Sequence, residues 1–197
     1  MNTFASLPLV DDDANARLHA RLVEAAAAED VLDVAYRTVD SPVGPLLLAA
    51  TPLGLVRVAY ACQDHERVLA GMAERISPRI LHAPRRLDGA ARELEEYFAG
   101  TRTSFDLPLD FQLAAGFRRA VLAHLPDIAY GHTASYATVA QLSGSPKAVR
   151  AVGTACATNP LPLVIPCHRV VRSDGSAGGY AGGPEAKRAL LDLEAAA

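Results

Sequence analysis

The chain has 197 residues, half of them hydrophobic, enough to bury one sizeable core or two small ones that share an interface. Three cysteines at wide spacing, Cys62, Cys156 and Cys167, exclude a disulfide framework and a paired CxxC zinc site, and fit a reducing cytoplasm. The net charge of -3 is uneven: from Phe111 onward eight Lys and Arg face five Asp and Glu, while residues 1–110 carry 11 against 17, so an acidic partner, if there is one, meets the C-terminal part.

Residues 1–30 read as an addition. An acidic start lacks the charged and long apolar regions of a signal peptide, and no stretch approaches the roughly 20 apolar residues of a spanning helix. "ANARLHARLVEAAAAED" follows, a helix with a thin apolar stripe, Leu18 and Leu22. From Val31 the pattern changes to short runs, "VLDVAYRTV", "PLLLAAT" and "LVRVAYA", separated by "DSPVG" and "PLG". These predict an antiparallel meander. Two amphipathic helices come next, "DHERVLAGMAERI" and "LDGAARELEEYFAG", the second stopped by Gly100, with a short strand "RILHA" between them. Residues 31–110 are therefore expected to form an α+β domain, and residues 111–197 a second, mostly helical one.

In that second half "SYATVAQL", "SGS" and "PKAVRAVGTACAT" predict a helix-turn-helix. Ser135 caps the first helix, Gly144 supplies the turn and Pro146 occupies the first position of the second helix. Lys147 and Arg150 at that positive helix end suit a phosphate backbone, although a solvated basic face has the same pattern.

"LPLVIP" predicts a buried extended segment that delivers Cys167. Pro166 suggests a helix start there, where the dipole would help the thiol to ionise. His168 is next in sequence, but helical neighbours point about 100° apart, so a water or a bent backbone must link thiol and base, with a carboxylate elsewhere orienting the imidazole. An inert buried thiol and a satisfied core histidine are the competing readings, and the proline, histidine and arginine around the thiol weigh against them. Arg169 and Arg172 fit plain surface charges as well as a site. The loop "SDGSAGGYAGG" is a pliable wall carrying one aromatic, Tyr180, suited to a flat ring. Cys62 and His65 lack a second ligand pair, so no metal is expected, and Cys156 reads as a small hydrophobe.

"NPLPLVIPCHRVV", with "PKAVRAVG" before it and "GGYAGG" and "LLDLE" after it, closely resembles the 6-O-alkylguanine-DNA alkyltransferases, the methylated-DNA-protein-cysteine methyltransferase family. The likeness runs from about Val31 to Glu194. It implies a ribonuclease-H-like N-terminal domain, a winged-helix-like C-terminal domain, and single-turnover direct-reversal repair without a cofactor or metal. By position, it makes Cys167 the alkyl acceptor, His168 its base through a water, Glu194 the orienter and Asn159 a brace for the turn. Tyr136 would crowd the target phosphate, Arg150 would fill the vacated place in the stack, and Val170, Tyr180 and Ala181 would line the guanine pocket. The partner implied is double-stranded DNA containing alkylated guanine, met by a monomer or by copies clustered on DNA. Arg118 and Leu122 stand where the family usually has Gln and Trp, and His132 where Glu is common. A DNA-binding regulator with a sensor thiol, or a cysteine hydrolase, would use some of the same residues. The former has no use for a complete Cys, His, Asn and Glu set, and the latter would turn over repeatedly.

Overall fold

The computed structural model describes residues 11–196. The first ten residues of the predicted N-terminal addition, and Ala197, lie outside the described residues. Helix α1 (Asp12–Ala28) begins where the Asp11 carboxylate accepts hydrogen bonds from the amides of Asp13 and Ala14, both at 3.1 Å, satisfying two of the donors a helix start leaves open. Val23 and Ala26 pack with Leu32, Ala35 and Ala83, and His19 Nε2 meets the His82 carbonyl at 2.6 Å.

The three predicted strands form the expected antiparallel meander, β1 (Val34–Val39), β2 (Leu46–Thr51) and β3 (Gly54–Tyr60). A short β4 (Ile80–His82) adds in parallel to β1, giving the order β3-β2-β1-β4. Strand β2 is an unbroken apolar run because both faces are covered. Helix α2 (His65–Arg75) closes one face through Met72 against Val34, Ala49 and Val56. Helix α3 (Asp88–Phe98) lies with Leu46, Leu48 and Val58 in the larger core on the other side. Gly100 ends α3 with φ +72°, its amide bonding the Tyr97 carbonyl while Thr101 bonds that of Glu96, the left-handed stop that glycine takes without strain.

Residues 101–115 cross to the second half along the sheet edge, where Leu55 and the backbone of Pro108 and Asp110 exchange two hydrogen bonds. Beyond them lie α4 (Gly116–His124), β5 (Ala134–Ser135), α5 (Tyr136–Leu142), α6 (Val149–Ala157), β6 (Val170–Val171) and α7 (Gly183–Ala195), with β5 and β6 paired in parallel. The architecture is the expected α+β. Ser135 caps α5 as predicted, its hydroxyl accepting the Thr138 amide at 3.0 Å. Pro146 does not open the next helix. It is the second residue of a turn closed by the Ala148 amide on the Ser145 carbonyl, a position proline's fixed φ also suits, and α6 starts at Val149, so Lys147 precedes the helix. One core runs through both halves, joining Leu46, Tyr60 and Tyr97 to Leu122, Val152, Cys167 and Leu190. Among the described residues no helix is long and apolar enough to cross a membrane.

Candidate active site

Every residue from Asn159 to Val171 is buried. The apolar run is not extended, as its composition suggested. Leu163 has φ +75° and the Ile165 amide returns to the Leu161 carbonyl at 2.8 Å, so the chain doubles back beneath the thiol. Asn159 holds this turn at both ends. Its Oδ1 accepts the Leu161 amide at 2.9 Å, and its Nδ2 donates to the Ile165 carbonyl at 3.0 Å and to Cys167 Sγ at 3.1 Å. The predicted brace therefore also touches the sulfur.

Cys167, His168 and Arg169 form one 3-10 turn. Such a turn is too short to carry the dipole expected to ionise the thiol. Burial pushes Cys167 up to about 11, and the Asn159 amide and the Lys187 ammonium pull back only part of that rise. Ionisation must therefore come from a base. His168 is fully buried, and its Nε2 lies 2.8 Å from Glu194 Oε1. Burial pushes the imidazole's pKa down, against the pull of Glu194. Facing a carboxylate, Nε2 carries the ring proton, and the basic lone pair is left on Nδ1. That Nδ1 is buried without a hydrogen-bond partner among the described residues.

Glu194 is the hub of the site. Beside His168 it accepts Arg169 Nε at 2.8 Å and Nη2 at 2.9 Å, the Tyr97 hydroxyl at 2.7 Å and the Gly131 amide at 3.3 Å. Burial alone would raise its carboxyl, but the bonds from His168 and Arg169 outweigh that and bring it down to about 2. Arg169 is thus a buried ion-pair partner, against the surface reading its sequence allowed, and its Nη1 also donates to the Ile128 carbonyl at 2.7 Å. Arg172 is exposed.

Tyr180 presents its ring edge-on to His168, 6.2 Å between centroids, and shares a 2.7 Å hydrogen bond with the Tyr60 hydroxyl. The Ala181 carbonyl accepts from Cys62 Sγ at 3.6 Å. Val170 is buried, and its carbonyl accepts Lys187 Nζ at 2.6 Å. The fold therefore gathers Cys167, His168, Glu194, Asn159, Val170 and Tyr180 in one place, with Ala181 beside them. Tyr136 borders them, its hydroxyl filling the space a Cβ on Gly178 would need. Arg150 and Lys147 are exposed, on the first turn of α6 and just before it.

Three members of the cluster escaped sequence reasoning. Lys187 is fully enclosed. It precedes Leu190 by three residues and Glu194 by seven, so the helical stripe of α7 carried a signal for its inward position. Tyr97 and Tyr60 come from the N-terminal half, where nothing in sequence ties them to Cys167. The departures at Arg118 and Leu122 are packing. Leu122 is wholly buried, and Arg118 donates to the Leu113 carbonyl and reaches Thr158.

Two family models match this chain: the ribonuclease-like domain of 6-O-methylguanine DNA methyltransferase over residues 34–111, and its DNA binding domain over residues 116–196. The chain belongs to the 6-O-methylguanine DNA methyltransferase family. The methylated-DNA–protein-cysteine methyltransferase of Mycolicibacterium paratuberculosis is 42% identical over 161 residues, covering 82% of this chain and 92% of the relative. The constitutive enzyme of that name from Bacillus subtilis is 37% identical, covering 81% and 94%. Among solved structures, the Mycobacterium tuberculosis O6-methylguanine methyltransferase aligns with a TM-score of 0.72 at 39% identity over 83% of this chain and 93% of that one. The M. tuberculosis OGT in complex with DNA aligns with the same score and identity over 82% and 93%. Residues 11–33, which include α1, fall outside both family segments.

Proposed function

We propose that this protein repairs DNA by moving an alkyl group from the 6-oxygen of guanine to Cys167, once per molecule. One observation carries the reading: an enclosed thiol, touched by Asn159, adjoins a histidine whose far nitrogen is fixed by an ionised Glu194 while its Nδ1 has no partner among the described residues. A water between Nδ1 and the thiol would pass the sulfur's proton to the imidazole. The thiolate then forms a bond to the alkyl carbon, the carbon–oxygen bond breaks, and the electron pair leaves on guanine, which takes up the proton. Protein thiol plus alkylguanine becomes protein thioether plus guanine, and nothing in that balance regenerates the thiol.

The buried position of Cys167 requires the nucleotide to leave the duplex, at a cost of a few kcal/mol. Val170, Tyr180 and Ala181 line the place the base would enter. Arg150, exposed on α6, is suited to fill the gap by stacking and hydrogen bonding with the orphaned cytosine. Tyr136 and Lys147 flank it at the phosphate backbone, a mode of contact suited to lesions in any sequence. In this reading residues 31–110 and 111–197 are the two domains, and the DNA partner faces the second.

The protein incubated with duplex DNA containing 6-O-methylguanine should gain the mass of one methyl group at Cys167 and no more. Cys167→Ser should bind the same duplex and gain nothing. Repeated release of product from one protein molecule, or methylation of the serine variant, would overturn the reading.

A further inference from the structure

The loop that walls the site is held from across the molecule. Tyr60 ends β3 in the N-terminal half and is 2% exposed, yet its hydroxyl lies 2.7 Å from that of Tyr180, 120 residues later. The two rings meet edge-on, 5.5 Å between centroids at 70°. The loop also closes directly on the Tyr60 ring: a Cβ at Gly182 would come within 2.7 Å of two ring carbons, and that backbone has an ordinary φ of -87°, so the glycine is needed for room, not for conformation. Tyr60 thus grips both the side chain at 180 and the backbone at 182.

The geometry points to Tyr60 as a positioning residue for alkyl transfer: it donates its hydroxyl hydrogen to the Tyr180 oxygen, leaving the Tyr180 O–H free to donate to the departing guanine. This inference rests on the alkyl-transfer reading above. A phenol has one hydrogen to give, and a Tyr180 that spent its own on Tyr60 would offer the purine only an acceptor. As the sulfur–carbon bond forms and the carbon–oxygen pair passes into guanine, the base becomes more basic, and a hydrogen bond donated to it is strengthened as that charge grows. A donor chain of two hydroxyls polarises further than one. Burial raises both phenols above their ordinary range, so both keep their hydrogens wherever the thiol chemistry runs.

Tyr60→Phe keeps the ring that packs on Gly182 and removes only the hydroxyl. Single-turnover transfer from methylated duplex, measured across DNA concentrations, should show the saturated rate falling about tenfold, because the Tyr180 hydroxyl loses the bond that orients and polarises it, with half-saturating DNA unchanged and the melting temperature lowered by no more than about 2–4 °C. Tyr180→Phe should lose more, about a hundredfold, and Tyr60→Phe/Tyr180→Phe should be no slower than Tyr180→Phe alone, because Tyr60 acts through the second hydroxyl. An unchanged rate in Tyr60→Phe, additive losses in the double variant, or a loss that appears in half-saturating DNA and not in the saturated rate would each overturn the assignment. Failure of the wild-type protein to accept a methyl group would instead remove the transfer reading itself, so the two failures are distinct.

Discussion

At the scale of single residues, the site is organised around one carboxylate rather than around the nucleophile. Glu194 receives four side-chain donations and one from backbone, and is 3% exposed. Its carboxyl falls from an ordinary 4.5 to about 2 in the folded protein, worth about 3 kcal/mol by linkage. Because the folded value is depressed, that stability is fully present above pH 4.5 and is lost as the pH falls toward 2. His168, held below its ordinary 6.5 by burial, adds in the same direction, since the unfolded imidazole takes up a proton that the folded one refuses. The urea midpoint should therefore begin to fall below pH 6.5 and fall more steeply below 4.5. Glu194→Gln should flatten the lower part of that curve while costing about 3–5 kcal/mol at pH 7, because the Arg169 cation is then buried without its partner. A wild-type midpoint that stays level from pH 7 to pH 3 would contradict this picture.

At the scale of elements, the helix-turn-helix depends on a small number of local bonds, because α5 is only seven residues long and isolated helices of that length do not persist in water. Ser135 supplies its one side-chain cap. Ser135→Ala should cost about 1 kcal/mol, a fall of about 2–4 °C in melting temperature for a chain of this size. If α5 and α6 meet DNA, transfer from methylated duplex should weaken while transfer from free 6-O-benzylguanine does not; equal losses on both would show that the cap serves the core alone. Such caps were legible in the sequence because they are local: Ser135 and Gly100 each declare themselves within a few residues. What failed to show depends on what lies across the fold. Pro146 is compatible with a helix start and with a turn, and only the Ser145–Ala148 bond decides between them. "LPLVIP" has the composition of a buried strand, but the Leu163 backbone turns it. Arg169 looks like a surface charge until Glu194, 25 residues on, is folded against it.

At the scale of the whole molecule, the two halves share more than a boundary. The core that holds Leu46, Leu94 and Tyr97 continues into Val121, Val152 and Leu190, and the Tyr97 hydroxyl completes the shell around Glu194 from α3. The thiol's environment is therefore built by both halves, and the site cannot be assembled by residues 111–197 alone. A fragment of those residues would expose the apolar surface that the sheet and α3 cover and would leave Glu194 without one of its donors. The full chain should accordingly unfold in a single transition. With no tryptophan in the sequence and six tyrosines, three in each half, tyrosine fluorescence reports on both halves and far-UV circular dichroism on the helices. The two urea curves should superimpose, and the isolated 111–197 fragment should show neither a cooperative transition nor methyl transfer. Two separated transitions, or a fragment that folds and accepts a methyl group, would mean that the shared core is a contact between independent domains. In that case the grip of Tyr60 on the loop would have to survive as a surface contact, and the dependence of the site on the sheet would lose its physical basis.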